Sequence, residues 1–225
     1  MTAIETVLPL LGLRITAGPV ELRGITDDLI GPLADLATAG IHDPDAMPFS
    51  VPWSLTPPAE MPRAVARYHW GTRAEFSPAK WAANLAVFWD GELAGSQGIF
   101  TSDYLITRTG ETGSWLGRGF QGRGIGTAMR QVICAFAFDH LDAEYVTSGA
   151  FTDNPASRAV SKKTGYADNG WQRVERLGKP AMIARLILEP ASLVRYEHDL
   201  VVDGLAAFRR SIGLDADAGA AEPAK

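Results

Sequence analysis

The sequence contains few of the residues from which disulfide and metal sites are built. Its 225 residues include one cysteine, Cys134, and four histidines that are scattered along the chain. A single cysteine excludes a disulfide within the chain and is compatible with a reducing compartment. Zinc sites are built largely from Cys and His, and one cysteine with four scattered histidines offers almost no material for one. We therefore expect no disulfide framework and no metal.

Long apolar runs and basic blocks are also lacking. No apolar stretch approaches the ~18 residues that a membrane span requires. The N-terminal residues have no positively charged segment and include Glu5, so a secretory signal is not expected. The net charge of -5 disfavours nucleic acid as a partner. These features predict a cytoplasmic protein that binds neither membranes nor nucleic acids, and leave a homo-oligomer open.

Apolar periodicity and turn residues divide the chain into two strands, two helices, three strands and then alternating helices and strands. This order predicts a mixed α/β fold in which helices flank a twisted, mostly antiparallel central sheet of about seven strands. We expect one domain over residues 1–213, including a strand-and-helix extension at 192–213. Residues 214–225 are rich in Ala, Asp, Gly and Glu, which predicts a disordered tail.

A proline-rich segment follows the first predicted helix. Residues 42–58 contain five prolines, which forbid a long helix, together with Met47, Phe49 and Trp53. One interpretation is an ordered surface loop that buries its aromatic side chains. A second, compatible interpretation is a lid over a binding cleft.

The most informative segment begins at Ser114 and ends at Leu141. An apolar strand there leads into five glycines within ten residues, and a long amphipathic helix begins near Gly124. Glycines before a helix N-terminus leave backbone N–H groups accessible, with the positive end of the helix dipole behind them. The amides of residues 122–127, with Gln121 and Arg123 nearby, are therefore predicted to bind phosphate.

Three kinds of phosphate-binding loop can be compared with this segment. A Walker-type loop requires Gly-Lys-Ser/Thr, whereas residues 126–128 are Gly-Thr-Ala. A dinucleotide fingerprint, G-x-G-x-x-G, is present at residues 117–122, but Asp139 and Asp142 fall at the end of a helix, where the fingerprint requires an acid at the end of a strand. The third pattern, Gln/Arg-x-x-Gly-x-Gly/Ala, matches residues 121–126.

With that pattern the chain resembles the GNAT superfamily of acyl-CoA-dependent N-acyltransferases, in which this loop binds the pyrophosphate of coenzyme A. Two further segments resemble the branch that contains the ribosomal-protein N-terminal acetyltransferases of the RimJ and RimL type. The segment 111–116 is similar to the Glu-x-Gly-x-Trp-Leu strand of that branch. The segment 154–166 is similar to its Asn-x-x-Ser … Lys-x-Gly-Phe/Tyr signature. The three motifs occur in the family's order within residues 91–188.

The resemblance implies a set of residues that bind the acyl-CoA cosubstrate. In the family, the strand around Trp115 and Leu116 pairs its main chain with the pantetheine arm, and the Leu116 amide lies near the thioester carbonyl. Asn154 reads from the sequence as a helix N-cap before Pro155, and the family adds a contact with a pantetheine amide. The predicted binding residues are Trp115, Leu116, Gln121, Gly122, Arg123, Gly124, Ile125, Gly126, Thr127, Asn154, Ser157 and Arg158.

Acyl transfer to an amine needs a base for the amine, donors for the oxyanion and a proton for the leaving thiolate. The resemblance implies Ser157 as the group that protonates the thiolate, with Tyr166 as the fallback; Ser157 could instead bond back to the helix cap. For the base we name Glu111, on the strand that leads to the loop, provided that partial burial tunes its carboxylate. Asp103 is the weaker candidate, and an exposed strand-end glutamate is the alternative interpretation of Glu111.

The sequence thus predicts an enzyme that transfers an acetyl group, or another short acyl group such as succinyl, to a primary amine by direct attack in a ternary complex. Its acceptor would be a protein N-terminus, a lysine or a small molecule. A non-catalytic acyl-CoA-binding module is one alternative, and an NAD(P)-dependent oxidoreductase is the other.

Overall fold

The computed structural model of the protein describes residues 2–215. The helices are α1 (Ile4–Val7), α2 (Asp27–Thr38), α3 (Met61–Ala74), α4 (Tyr104–Thr107), α5 (Ile125–His140), α6 (Pro155–Thr164) and α7 (Leu205–Ser211). The strands are β1 (Arg14–Ala17), β2 (Val20–Gly24), β3 (Lys80–Trp89), β4 (Glu92–Ser102), β5 (Thr109–Leu116), β6 (Tyr145–Phe151), β7 (Ala167–Arg176), β8 (Lys179–Leu188) and β9 (Val201–Asp203).

All nine strands belong to one sheet, in the order β7-β8-β6-β5-β4-β3-β2-β1-β9. Within residues 2–215, β5 and β6 pair in parallel and the other pairs are antiparallel. The mixed, mostly antiparallel sheet is confirmed, but it has nine strands where we expected about seven. The sequence analysis did not find β7. This strand lies at the sheet edge with almost all of its residues exposed, so no apolar alternation marks it.

Several local predictions are confirmed. The hairpin between β3 and β4 turns at Asp90 and Gly91, which both have positive φ, as a two-residue hairpin turn requires. Helix α5 begins directly after Gly124, and α6 begins at Pro155 and ends before Gly165, whose φ is +105°. Short helices α1 and α4 were not predicted, because four residues are too few to show a helical period.

The two faces of the sheet carry separate apolar cores. Helix α5 covers one face, where Val132, Ile133 and Phe136 are fully buried against side chains of β1 to β4. Helices α2 and α3 cover the other face and pack on β3. Because each fully buried large apolar side chain contributes roughly 1.5–3 kcal/mol, the buried side chains of α5 contribute strongly to the stability of this layer.

The C-terminal extension belongs to the same sheet. Strand β9 pairs with β1, and Phe208 of α7 is fully buried in the core beneath α5. We expected a disordered tail from residue 214, yet Leu214 packs against this core and Asp215 pairs with Arg209. The rest of that predicted tail, residues 216–225, lies outside the described residues.

Candidate active site

Strands β5 and β6 pair over only half of their length. Their parallel register runs from Thr109 opposite Tyr145 to Thr112 opposite Ser148 and then stops. Beyond that point β5 stays with β4 as far as Leu116, and β6 stays with β8 as far as Phe151. The two strands therefore diverge, and we call the gap between residues 113–116 and 149–151 the split.

Main-chain groups on both edges of the split lack strand partners. The Gly117 amide donates to the Ala94 carbonyl on β4 at 2.9 Å, and Gln97 Nε2 on β4 donates to the Gly113 carbonyl at 3.1 Å. Since alternate residues of a strand direct their main chain to opposite edges, Ser114 and Leu116 face the split. On β6, the Thr152 amide donates to β8, so the main chain of Gly149 faces the split from the other side.

The glycine loop lies at the open end of the split. Gly122 and Gly124 have φ values of +73° and +85°, and a Cβ on either would meet no atom within 4 Å. The amides of residues 122–126 find no backbone carbonyl within the described residues, and no side chain caps α5 at Gly124. The first turn of α5 has no acidic residue. The loop therefore presents free amides and the positive end of a 16-residue helix to solvent, the arrangement that binds phosphate.

The predicted binding residues around this loop contribute in different ways. The Gln121 side chain donates to the carbonyls of Leu116 and Ile41, both at 2.8 Å, so it fixes the loop to β5. The Ile125 side chain is fully buried in the core, which leaves only its amide for a ligand. Arg123 is exposed, with its guanidinium 5.7 Å from the Phe120 ring centre. Trp115 directs its main chain towards β4, away from the split, and its ring packs on Trp53.

Helix α6 begins beside the split, at the end of β6. Asn154 Oδ1 accepts a hydrogen bond from the Ser157 amide at 3.1 Å, as expected of an N-cap. The Asn154 Nδ2 group is left available for a ligand. The Ser157 hydroxyl is partly exposed and makes no bond back to the cap, and Arg158 is exposed on the next position.

A groove of about 750 Å³ lies on the opposite face of the sheet from α5, between α3 and strands β3 to β6. Glu111 lines this groove, on the part of β5 that still pairs with β6 just before the split. Its Oε1 atom lies 3.7 Å from the position that a Cβ atom on Gly149 would occupy. Arg185 Nη2 lies 3.6 Å from Glu111 Oε2, and the Glu111 side chain is 45% exposed. The partial burial that we expected for this carboxylate is thus modest. Asp103 is exposed beyond the end of β4 and does not line the groove.

The proline-rich loop lies against this same face. Phe49 packs on Trp53, and Trp53 packs on Trp115, with ring centres 5.3 and 5.6 Å apart. The same loop is also held by a hydrogen bond that Arg176 of β7 donates to the Met47 carbonyl at 3.0 Å. The aromatic side chains are thus anchored on the core, as the first interpretation predicted, and they stand over the open part of β5.

Tyr166, the fallback acid, lies on the α5 side of the sheet. Its buried hydroxyl is 2.9 Å from Thr112 Oγ1 and 3.3 Å from Cys134 Sγ, and burial raises the pKa of this phenol. Burial also raises the pKa of the Cys134 thiol, to about 11. A phenol that is bonded inside the core in this way is a packing residue rather than a proton donor.

Sequence analysis missed one charged side chain at the base of the split. Arg130 of α5 is only 4% exposed, and it donates to Ser114 Oγ at 2.9 Å, to Ser148 Oγ at 3.1 Å and to Gln97 Oε1 at 3.4 Å. A signal was present, because Arg130 stands four residues before Cys134 within the apolar stripe of the helix. An arginine at such a position must find buried polar partners.

The half-open pair of central strands, with an uncapped glycine-rich helix start at its open end, forms a site that can hold a phosphate-bearing ligand. Residues 20–167 match the family model of the acetyltransferase (GNAT) domain. The chain belongs to the GNAT acetyltransferase family.

Individual relatives agree with this assignment. YdaF of Bacillus subtilis, provisionally named a ribosomal N-acetyltransferase, is 32% identical over 87 residues, which are 39% of this chain and 47% of that protein. The match therefore spans about half of the relative's length. Mycobacterium smegmatis RimJ, solved with a CoA disulfide, superposes with a TM-score of 0.68 over 88% of this chain and 92% of its own, at 19% identity. RimL, a ribosomal alpha-N-protein acetyltransferase in complex with coenzyme A, superposes with a TM-score of 0.63. The superposition covers 77% of this chain and 95% of RimL, also at 19% identity.

The dinucleotide interpretation is wrong. Residues 118–120 form a short 3-10 turn, the helix begins only after Gly124, and Asp139 lies in the last turn of α5, not at the end of a strand. Among residues 2–215, no three His, Cys, Asp or Glu side chains converge as metal ligands would. No helix in this part of the chain is long and apolar enough to cross a membrane. The cytoplasmic location and the oligomeric state stay predictions.

Proposed function

We propose that this enzyme transfers a short acyl group from acyl-CoA to the N-terminal amine of a peptide or protein segment that lies in the groove beneath α3. The acyl-CoA occupies the split from the α5 side, and the acceptor approaches from the opposite face. The observation that carries this proposal is the position of Glu111, whose carboxylate lies in the groove and beside Gly149 at the point where the split begins.

The donor is held by main-chain groups. The amides of residues 122–126 and the dipole of α5 bind the pyrophosphate; the Thr127 amide, which we expected to take part, already donates to the Gly124 carbonyl at 3.0 Å. Gln121 keeps the loop on β5, and Arg123 and Arg158 supply exposed positive charge near the phosphates. The open edge at Ser114 and Leu116 pairs with the pantetheine arm, and Asn154 donates to it through Nδ2. Holding the thioester in this way removes orientational freedom before the reaction, which can account for several kcal/mol of the barrier.

The chemistry needs one base and one acid. Glu111, oriented by Arg185, takes a proton from the ammonium form of the acceptor, and the neutral amine attacks the thioester carbon. The carbon–sulfur bond then breaks as Ser157 gives its proton to the departing thiolate, and Ser157 takes back the remaining extra proton of the former amine nitrogen. The products are an amide and free coenzyme A.

An acceptor with a peptide backbone is favoured by the volume of the groove, about 750 Å³, and by the names of the relatives, which include ribosomal-protein acetyltransferases. Acetyl is the first donor to test and succinyl the second. A single domain, which the packing of Leu214 extends past the expected boundary at residue 213, and the lid role of the loop at 42–58 belong to the same proposal.

The test is thiol release from acetyl-CoA or succinyl-CoA with three matched peptides. One has a free N-terminus, one is N-acetylated, and one is N-acetylated but contains lysine. We expect turnover only with the free N-terminus. Glu111→Gln should lower kcat on the order of 10²-fold at unchanged KM for acyl-CoA, because a general base acts only in the chemical step. Equal turnover of the lysine peptide would contradict the proposed acceptor, and wild-type kcat in Glu111→Gln would contradict the proposed base.

A further inference from the structure

The strongest unused feature of the molecule is a buried guanidinium at the base of the split. Arg130 reaches across from Ser114 on β5 to Ser148 on β6, at the first rungs where these strands separate. Its third partner is Gln97 on β4. All three partners are neutral, so the charge of Arg130 is balanced by no carboxylate at these contacts. In a dry interior such a charge acts strongly on its immediate neighbours.

The hydrogen bonds determine where each proton around Arg130 points. Arginine only donates, so each partner oxygen must accept from it. Ser148 Oγ also donates to the Thr112 carbonyl at 3.4 Å, and Gln97 Nε2 donates to the carbonyls of Gly98 and Gly113. Ser114 differs, since its hydroxyl accepts from Arg130 and has no acceptor for its own proton within residues 2–215.

We propose that Ser114 is a further catalytic residue, which donates its hydroxyl proton in a hydrogen bond to the thioester oxygen, and that Arg130 is its positioning residue. Ser114 stands on the open edge of β5, two residues before Leu116, whose amide faces the same split. The guanidinium fixes the Ser114 oxygen and polarises its O–H bond, so the hydrogen bond to the thioester oxygen strengthens as negative charge develops there. No proton is transferred in this step, and the oxyanion is stabilised until the carbon–sulfur bond breaks.

This inference rests on the proposed acyl transfer, and Ser148 provides a matched control. Ser114 and Ser148 are both bonded to Arg130, but the Ser148 hydroxyl is 1% exposed and already donates to Thr112. We expect Ser114→Ala to lower kcat on the order of 10²-fold with little change in KM for acyl-CoA, because the lost donor acts in the transition state. Ser148→Ala should keep kcat within a few-fold of wild type. Equal losses in both variants would contradict the inference, since they would reflect only a displaced Arg130.

A second measurement does not depend on turnover. The carbonyl stretch of bound acetyl-CoA, labelled with ¹³C at the carbonyl carbon, is read by difference infrared spectroscopy without an acceptor. Wild type and Ser148→Ala should lower its frequency relative to free acetyl-CoA, and Ser114→Ala should restore much of that shift. Arg130→Lys, which keeps the charge but cannot bridge both serines, should give an intermediate frequency. An identical frequency in wild type and Ser114→Ala would overturn the role of Ser114, whereas absent turnover with a normal infrared shift would count only against the proposed acceptor.

Discussion

Two helix N-termini flank the split, and they are built in opposite ways. Helix α5 begins at Gly124 without a side-chain cap, and its approach through Gly122 leaves several amides without acceptors. Helix α6 begins after Asn154, whose side chain satisfies the Ser157 amide, and has Pro155 at its first position. One helix start satisfies its own amides, and the other leaves them open.

The comparison shows that one helix N-terminus can serve ligand binding while the other serves the stability of the fold. An uncapped helix start costs about 1 kcal/mol of stability relative to a capped one, and α5 tolerates this because it has more buried residues than any other helix of residues 2–215. Helix α6 has only two buried residues, Ser161 and Thr164, and it needs its cap. The deeply packed helix is therefore the one whose open amides are proposed to hold the phosphates.

The largest expected effect comes from closing the open helix start with charge. In Thr127→Glu, a carboxylate in the first turn of α5 repels the pyrophosphate by about 3 kcal/mol, for charges roughly 5 Å apart at an effective dielectric of about 20. Affinity for coenzyme A should fall on the order of 10²-fold by calorimetry. The melting temperature should stay the same or rise, because an acid favours a helix N-terminus.

Thr127→Gln, which has the same length without the charge, measures the steric part of that effect. If the glutamine and glutamate variants bind coenzyme A equally, the phosphates do not lie at this helix start and the comparison between α5 and α6 fails.

The second effect concerns the third residue of α6. Ser157→Ala keeps the backbone amide that Asn154 caps but removes the proposed proton donor, so we expect kcat to fall on the order of 10²-fold with unchanged unfolding free energy. Tyr166→Phe is the control: it should lose about 1 kcal/mol of stability with its buried hydrogen bonds and keep its kcat. Steady-state kinetics and urea unfolding of both variants separate the roles, and the opposite pattern would make Tyr166 the acid.

The third effect separates the two roles of the cap residue. Serine caps a helix about as well as asparagine but has no amide group, so Asn154→Ser should keep stability while KM for acyl-CoA rises up to about tenfold, the equivalent of one hydrogen bond. Asn154→Ala should lose about 1 kcal/mol of stability as well. A wild-type KM in Asn154→Ser would restrict Asn154 to its structural role.

The smallest effect concerns the ion pair that precedes the cap. Arg176 donates to both carboxylate oxygens of Asp153, and these hydrogen bonds hold the Asp153 pKa below its ordinary value of 3.8. A lowered pKa in the folded state stabilises the fold at pH values above the unfolded pKa, and the contribution disappears as the pH falls below about 3.8. Because the Asp153 side chain is largely exposed, Asp153→Asn should cost less than about 1 kcal/mol at pH 7. Urea unfolding at pH 7 and pH 3 should show this difference shrinking in acid; a constant difference would mean that the ion pair contributes nothing.

The sequence analysis succeeded where a feature depends on neighbours along the chain. The Asp90-Gly91 hairpin, the start of α5 and the Asn154 cap are each determined within a few residues, and each was predicted. Strand β7 was missed because its residues face solvent on both sides, and its pairing with β8 decides its conformation. The missed β7 accounts for part of the difference between the expected count of about seven strands and the nine observed.

The sequence by itself determined that a glycine-rich helix start follows an apolar strand, since φ preferences, helix capping and apolar spacing are local properties of the chain. Only the tertiary structure decided that β5 and β6 separate after Thr112 and Ser148, and that Glu111 and Arg130 stand on opposite faces of that opening. These side chains come from elements far apart in the chain, and packing of α5 and α3 against the two faces of the sheet brings them together. No local preference encodes such a juxtaposition.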